Sequence, residues 1–110
     1  MDKYQLVLCN VANEENAKQI AHSLLEKKLC ACVNIIPRVH SLYIWDGEIE
    51  EASEYTMLIK SKSSLYQQLE EAITSLHPYD VPEIIAFEVT NGLADYLVWI
   101  SKTTISDTNS

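Results

Sequence analysis

Cys32-Val33-Asn34-Ile35-Ile36-Pro37-Arg38-Val39-His40-Ser41-Leu42-Tyr43-Ile44-Trp45-Asp46-Gly47-Glu48-Ile49-Glu50-Glu51-Ala52-Ser53-Glu54-Tyr55-Thr56-Met57-Leu58-Ile59-Lys60-Ser61-Lys62 holds two long strand patterns that meet at an Asp-Gly pair. Asp-Gly favours a two-residue hairpin turn, because both central residues need positive φ. With the turn at Asp46-Gly47, Trp45 faces Glu48 and Ile44 faces Ile49. Each arm then runs about fifteen residues, or roughly 50 Å, whereas a compact chain of this length has a radius of gyration of only about 13 Å. The hairpin is too long for its own domain. Pro37 has no N–H for the ladder and predicts a bulge or bend, beyond which Leu42, Tyr43, Ile44 and Trp45 project on a ribbon with little core beneath. A two-stranded ribbon with that much apolar surface is marginal alone, so other subunits are expected to cover it.

Before the hairpin, Tyr4 to Cys9 reads as a first strand bounded by Asn10. Asn13 is a plausible N-cap, with Glu14 and Glu15 in the first turn; Ala17, Ile20, Ala21, Leu24 and Leu25 form the stripe of an amphipathic helix, and Lys27 and Lys28 close it. After the hairpin, Ser64-x-x-Gln67 has the form of a capping box, and Leu65, Leu69, Ala72, Ile73 and Leu76 form a second helical stripe. Ile84 to Val89 is a nearly continuous apolar run, read as a strand buried on both faces or at a subunit contact. Asn91-Gly92 breaks the chain before a short helix over Leu93, Tyr96, Leu97 and Ile100.

The order β, α, β, β, α, β with right-handed crossovers closes most simply as a ferredoxin-like α+β sandwich, both helices on one face of a four-stranded antiparallel sheet. A single domain over residues 1–110 is expected, with an ordered core at about 3–101 and a polar tail at 102–110 that has nothing to bury. The uncovered sheet face again points to neighbouring subunits.

Composition excludes several classes. The 110 residues are 47% hydrophobic, enough for a core without metal or disulfide, and no run approaches the roughly 18 apolar residues of a membrane helix. The start of the chain is not signal-like, so a cytoplasmic location is the default. Three cysteines, Cys9, Cys30 and Cys32, fit reduced thiols better than a disulfide framework. A net charge of −8, from 16 acidic against 8 basic residues, argues against nucleic acid as a partner.

Chemistry concentrates in Leu76-His77-Pro78-Tyr79-Asp80-Val81-Pro82-Glu83-Ile84, where two prolines stiffen a connector that carries an imidazole, a phenol and carboxylates. These residue types build proton-transfer or metal sites. They serve equally as structure: Pro78 as a helix stop, His77 as a helix-terminal residue, Tyr79 as packing. Cys30-Ala31-Cys32 has a spacing for a soft metal, although thiols at the start of a buried strand are commonly core fillers. The acidic run Asp46, Glu48, Glu50, Glu51 and Glu54 reads as a solvated face that discourages edge pairing, with loose attraction for divalent cations as the alternative. Only Gly47 and Gly92 are present, so there is no glycine-rich phosphate loop. No serine or cysteine stands in a nucleophile context, and no catalytic constellation is recognised; His77, Tyr79 and Glu83 are the residues that would carry acid–base chemistry if there were any.

Cys9, Cys32-Val33-Asn34-Ile35-Ile36-Pro37, Ser41 to Ile49, His77-Pro78-Tyr79-Asp80-Val81-Pro82-Glu83 and Asp95-Tyr96-Leu97-Val98-Trp99 together resemble the CutA family of divalent-cation tolerance proteins, over essentially residues 4–100. The resemblance implies a tight homotrimer, similar in architecture to PII signalling proteins, with the hairpins wrapping neighbours. It implies copper, or another divalent cation, held by Cys9 and His77. The family pattern has a second histidine where Leu76 stands, so Glu83 or a water would complete the set. The alternative is a PII-like sensor or scaffold that takes a small ligand or a protein partner in an intersubunit cleft near Trp45 and Tyr79.

Overall fold

Asp46 and Gly47 turn the chain with φ of 53° and 77° in the computed structural model, which describes residues 2–106. Ile44 pairs with Ile49 and Trp45 with Glu48, the register that the Asp-Gly turn dictates. The arms are β2 (Cys32–Trp45) and β3 (Glu48–Lys62). Their ladder breaks once, between Ile36 and Val39, where Pro37 withholds its N–H and Arg38 takes a φ of 58°. The arms account for an elongated molecule of 45 × 27 × 23 Å.

The other strands are β1 (Tyr4–Val11) and β4 (Ile84–Val89), and the sheet order is β2-β3-β1-β4, all neighbours antiparallel. Helix α1 (Glu14–Glu26) begins at Asn13, whose side chain accepts from the Asn16 N–H at 2.8 Å. It ends at Glu26 with Lys27 as its cap, and Lys28 just beyond adopts the left-handed conformation usually given to glycine (φ 57°), so that Leu29 N–H reaches back to the Leu24 carbonyl. Helix α2 (Tyr66–Leu76) departs from the expected capping box: a 3-10 turn over Ser63–Leu65 leads into it, and no side chain caps it. The 3-10 turn supplies the local hydrogen bonding that the serine was expected to give.

Both helices lie on one sheet face. Ile20 and Leu24 of α1 and Leu69 and Ile73 of α2 are fully buried against Val7, Cys9, Met57 and Ile59. Burial of each such large side chain contributes about 1.5–3 kcal/mol, which makes this layer the main source of stability. This is the ferredoxin-like sandwich.

On the opposite face Leu6, Leu8 and Leu58 are half-buried, and the register sets Ile85 beside Leu8 and Phe87 beside Leu6. Ile85 and Phe87 are 46% and 50% exposed, so β4 is not buried on both faces within the chain. Helix α3 (Ala94–Thr103) is tied to β1 through the Tyr4 hydroxyl and Ser101 Oγ at 2.6 Å. The expectation of a polar tail from residue 102 with nothing to bury is corrected for the described part. Thr104 is buried, Ile105 packs on the core, and its carbonyl accepts from Lys62 Nζ at 2.7 Å. Residues 107–110 of that tail lie outside the described residues.

Candidate functional site

Asn10 is the hub around which the candidate residues gather. Strand β1 runs on past Cys9 to Val11, so Asn10 is a ladder residue paired with Thr56, not a strand terminator. Its Oδ1 accepts from the Thr56 hydroxyl at 2.6 Å, and its Nδ2 donates to Glu83 Oε1 at 2.8 Å. Its backbone carbonyl accepts from His77 Nε2–H at 2.8 Å. Because a carbonyl only accepts, Nε2 carries the proton, and Nδ1 is left to accept from the Tyr79 N–H at 3.2 Å. His77 is therefore a neutral imidazole, 8% exposed, that pins the Pro78–Pro82 connector onto β1. Its ring also packs against Tyr79, centroid to centroid 4.7 Å.

Tyr79 reaches over the ribbon, where its hydroxyl donates to Glu54 Oε2 at 3.0 Å. Burial, together with that hydrogen bond and the charge of Glu54, pushes the phenol up to about 12. Glu54 itself is 8% exposed, which corrects the reading of the whole acidic run as a solvated face. Cys9 lies under this assembly with no exposed surface. Burial first, then the nearby charges of Glu83 and Glu54, pushes its thiol up to about 12.

Above Asn10 opens a cleft of about 810 Å³. Its floor is the ribbon face carrying Tyr43, Trp45, Glu50 and Glu54, and its roof is the connector with Tyr79, Asp80 and Glu83. The sequence set Trp45 and Tyr79 in a ligand cleft and Glu83 in a metal set with Cys9 and His77; in the fold Trp45, Tyr79 and Glu83 line one cleft. Cys9 and His77 sit behind the wall rather than in it. Asn10, Tyr43 and Glu54 were missed as site residues.

The fit of a metal to Cys9, His77 and Glu83 fails in this arrangement. Both ring nitrogens of His77 are used inside the chain, the Cys9 thiol holds its proton, and Glu83 is engaged by Asn10. Among the described residues no group of three or more His, Cys, Asp or Glu side chains is placed to hold a metal ion. Nor do Cys30, which is buried, and Cys32, whose Sγ is 3.9 Å from Lys60 Nζ, belong to such a group.

Asn10→Ala tests the hub. It leaves the buried Thr56 hydroxyl without its partner, at a cost of about 1–3 kcal/mol, while the exposed Glu83 carboxylate returns to water at little cost. A melt lowered by several degrees is expected, and an unchanged melting temperature would count against the hub.

A four-stranded antiparallel sandwich with an overlong hairpin, and a histidine-pinned connector roofing an acidic, aromatic cleft, defines a ferredoxin-like protein built around one wall of β1. The chain belongs to the CutA1 divalent ion tolerance protein family, whose model matches residues 5–103. It is 46% identical over 99 residues to the protein CutA homolog of Danio rerio, covering 90% of this chain and 66% of that one. With the divalent-cation tolerance protein CutA of Thermus thermophilus it shares 42% identity over 100 residues, covering 91% of this chain and 97% of that protein. The chain spans about half to two thirds of the length of the vertebrate relatives, 55% in the mouse protein CutA. Among solved structures, the Thermus thermophilus divalent cation tolerance protein superposes with a TM-score of 0.90 at 42% identity, covering 92% of this chain and 98% of that one. Oryza sativa CutA1 gives 0.91 at 38%, covering 94% of each.

Proposed function

We propose that this chain acts in divalent-cation tolerance as a homotrimer whose working site is the cleft over Asn10, with Cys9 and His77 as its scaffold. The observation that carries this reading is the commitment of both His77 ring nitrogens within the chain. A ligand histidine needs a free lone pair, and here the only lone pair is held by the Tyr79 N–H. Assembly is supported by the apolar sheet face and by the exposed Leu42, Ile44 and Ile49 of the ribbon.

A second reading keeps copper at Cys9, His77 and Glu83, and one observation favours it: all three border Asn10. On that reading the metal displaces the Asn10 and Tyr79 contacts, and Leu76→His adds a ligand. Calorimetric titration with Cu(II) of the native protein, Cys9→Ser and His77→Gln separates the two. Unchanged affinity in both variants is the expected result. A collapse of affinity in each, at unchanged oligomer mass, together with tighter binding by Leu76→His, gives the site to copper and overturns the scaffold assignment.

A further inference from the structure

The walls of the cleft have a chemical bias. Glu50, Glu54, Asp80 and Glu83 line it beside the rings of Tyr43, Trp45 and Tyr79, and no lysine, arginine or histidine lines it at all. The donors that do lie there are partly spent on its own walls: the Tyr79 hydroxyl on Glu54, and one amide hydrogen of Asn10 on Glu83. What faces the cavity is therefore mostly acceptor, negative and aromatic. Glu54 sharpens the point, because it is more than nine-tenths buried and accepts from a neutral hydroxyl, that of Tyr79. Among the described residues the salt bridges are Lys18–Glu14 and the His40–Glu51 contact, both on exposed surface, and no lysine, arginine or histidine pairs with Glu54. A buried carboxylate without a cation is costly, and a ligand that brings one relieves the cost.

A single metal ion is a poor match, because the carboxylates are spread round a wide cavity and no three of the chain's His, Cys, Asp or Glu side chains converge among the described residues. The volume lies within the usual range for small-molecule sites. Separated carboxylates bind separated ammonium groups, and aromatic faces bind the cations and methylenes between them. From this geometry we infer that the cleft takes a linear aliphatic polyamine, gripped at its ammonium groups by Glu54 and the carboxylates of the roof and held along its chain by Trp45 and Tyr79. The inference rests on the reading of the cleft as the working site and names the class of ligand it would take.

Spermidine is the probe, titrated into the full-length native oligomer by calorimetry, with 1,4-butanediol as a neutral counterpart and Mg²⁺ as a competitor. Saturable binding of spermidine is expected, with butanediol silent and Mg²⁺ displacing it only weakly. Glu54→Gln keeps an acceptor for Tyr79 but removes the charge, and should weaken spermidine about tenfold or more, the loss of a charge-assisted hydrogen bond. Trp45→Ala, which leaves Glu54 and its Tyr79 contact in place, should also weaken it, and oligomer mass and circular dichroism unchanged from the native protein guard against misfolding of either variant. Glu71→Gln, on the exposed side of α2, should change nothing. No saturable heat, an equal loss in Glu71→Gln, or displacement by equimolar Mg²⁺ overturns the inference. Fluorescence of Trp45 in a Trp99→Phe background distinguishes the two levels of failure. If neutral or anionic small molecules shift it and spermidine does not, the polyamine falls and the cleft stands. If Cu(II) alone shifts it, and only with Cys9 intact, the cleft reading falls as well.

Discussion

A chain carrying Ile85→Asp should lose assembly and fold together. Ile85 stands on the sheet face opposite α1 and α2, in a row with the half-buried Leu8 and Leu58 and next to Phe87 in β4, and is 46% exposed in the single chain. If neighbouring subunits cover that face, each Ile85 or Phe87 contributes about 1.5–3 kcal/mol by burial, repeated at every copy of the contact. A carboxylate in the same place adds the cost of an unpaired buried charge. The apolar tip of the ribbon has no other cover and would be stranded with it, since Ile49 is 73% exposed in the single chain. Light scattering of the native protein should return three times the chain mass; the variant should return a smaller mass with a weakened circular dichroism signal, because obligate oligomers couple the two. A native protein of single-chain mass with full helical signal would sink the trimer.

Alkali should destabilise the fold steeply, through Cys9 and Cys30. Burial is the main cause that pushes both thiols from the ordinary 9.0 up to about 12. A raised folded value means that the native state keeps these protons while the unfolded chain releases them. Stability is therefore intact below pH 9 and is lost as pH rises from 9 toward 12. Each thiol removes up to about 1.4 kcal/mol per pH unit in that window, so the pair removes about 4 kcal/mol between pH 9 and 11. Tyr79 acts in the same direction from 10.0 but adds less, being 37% exposed. Guanidinium midpoints measured under reducing conditions at several values from pH 8 upward should fall accordingly. A Cys9→Ala, Cys30→Ala chain starts lower, from lost packing, yet should decline far less above pH 9. An equal decline in both proteins would remove the thiols as the cause.

The hairpin was legible because its signals are local. Asp46-Gly47 sets the turn, the turn sets the register, and Pro37 marks the one break in the ladder. Helix α1 was legible for the same reason, from Asn13 through Leu24. What escaped depends on partners distant in sequence. Asn10 looked like the end of a strand, since its role comes from Thr56, His77 and Glu83, brought to it by strand pairing and by the Pro78–Pro82 connector. Glu54 looked like one more solvated acid until Tyr79 closed over it. The family resemblance made His77 a ligand, and only the carbonyl in front of it shows that its proton is already placed. Ser64 carried a valid capping pattern that lost to a 3-10 turn. Thr104 and Ile105 were dismissed with a polar tail, although the Lys62 ammonium and the carbonyl of Lys28 both bond the backbone of Ile105.

The strand order carries a consequence for synthesis. Strand β1, at the centre of the hydrogen-bonded sheet, is the first to leave the ribosome, and Tyr4 pairs with Lys62 on one side and Val89 on the other. At roughly 5–20 residues per second, its second partner is translated several seconds after it, whereas a hairpin closes in about 1–10 μs once both arms are out. The nascent chain therefore holds Leu6-Val7-Leu8-Cys9, a short apolar stretch, unpaired until β3 has been translated. During that interval β1 is the segment most open to pairing with the wrong chain on a crowded polysome, and the arrival of β3 and then β4 closes it one edge at a time.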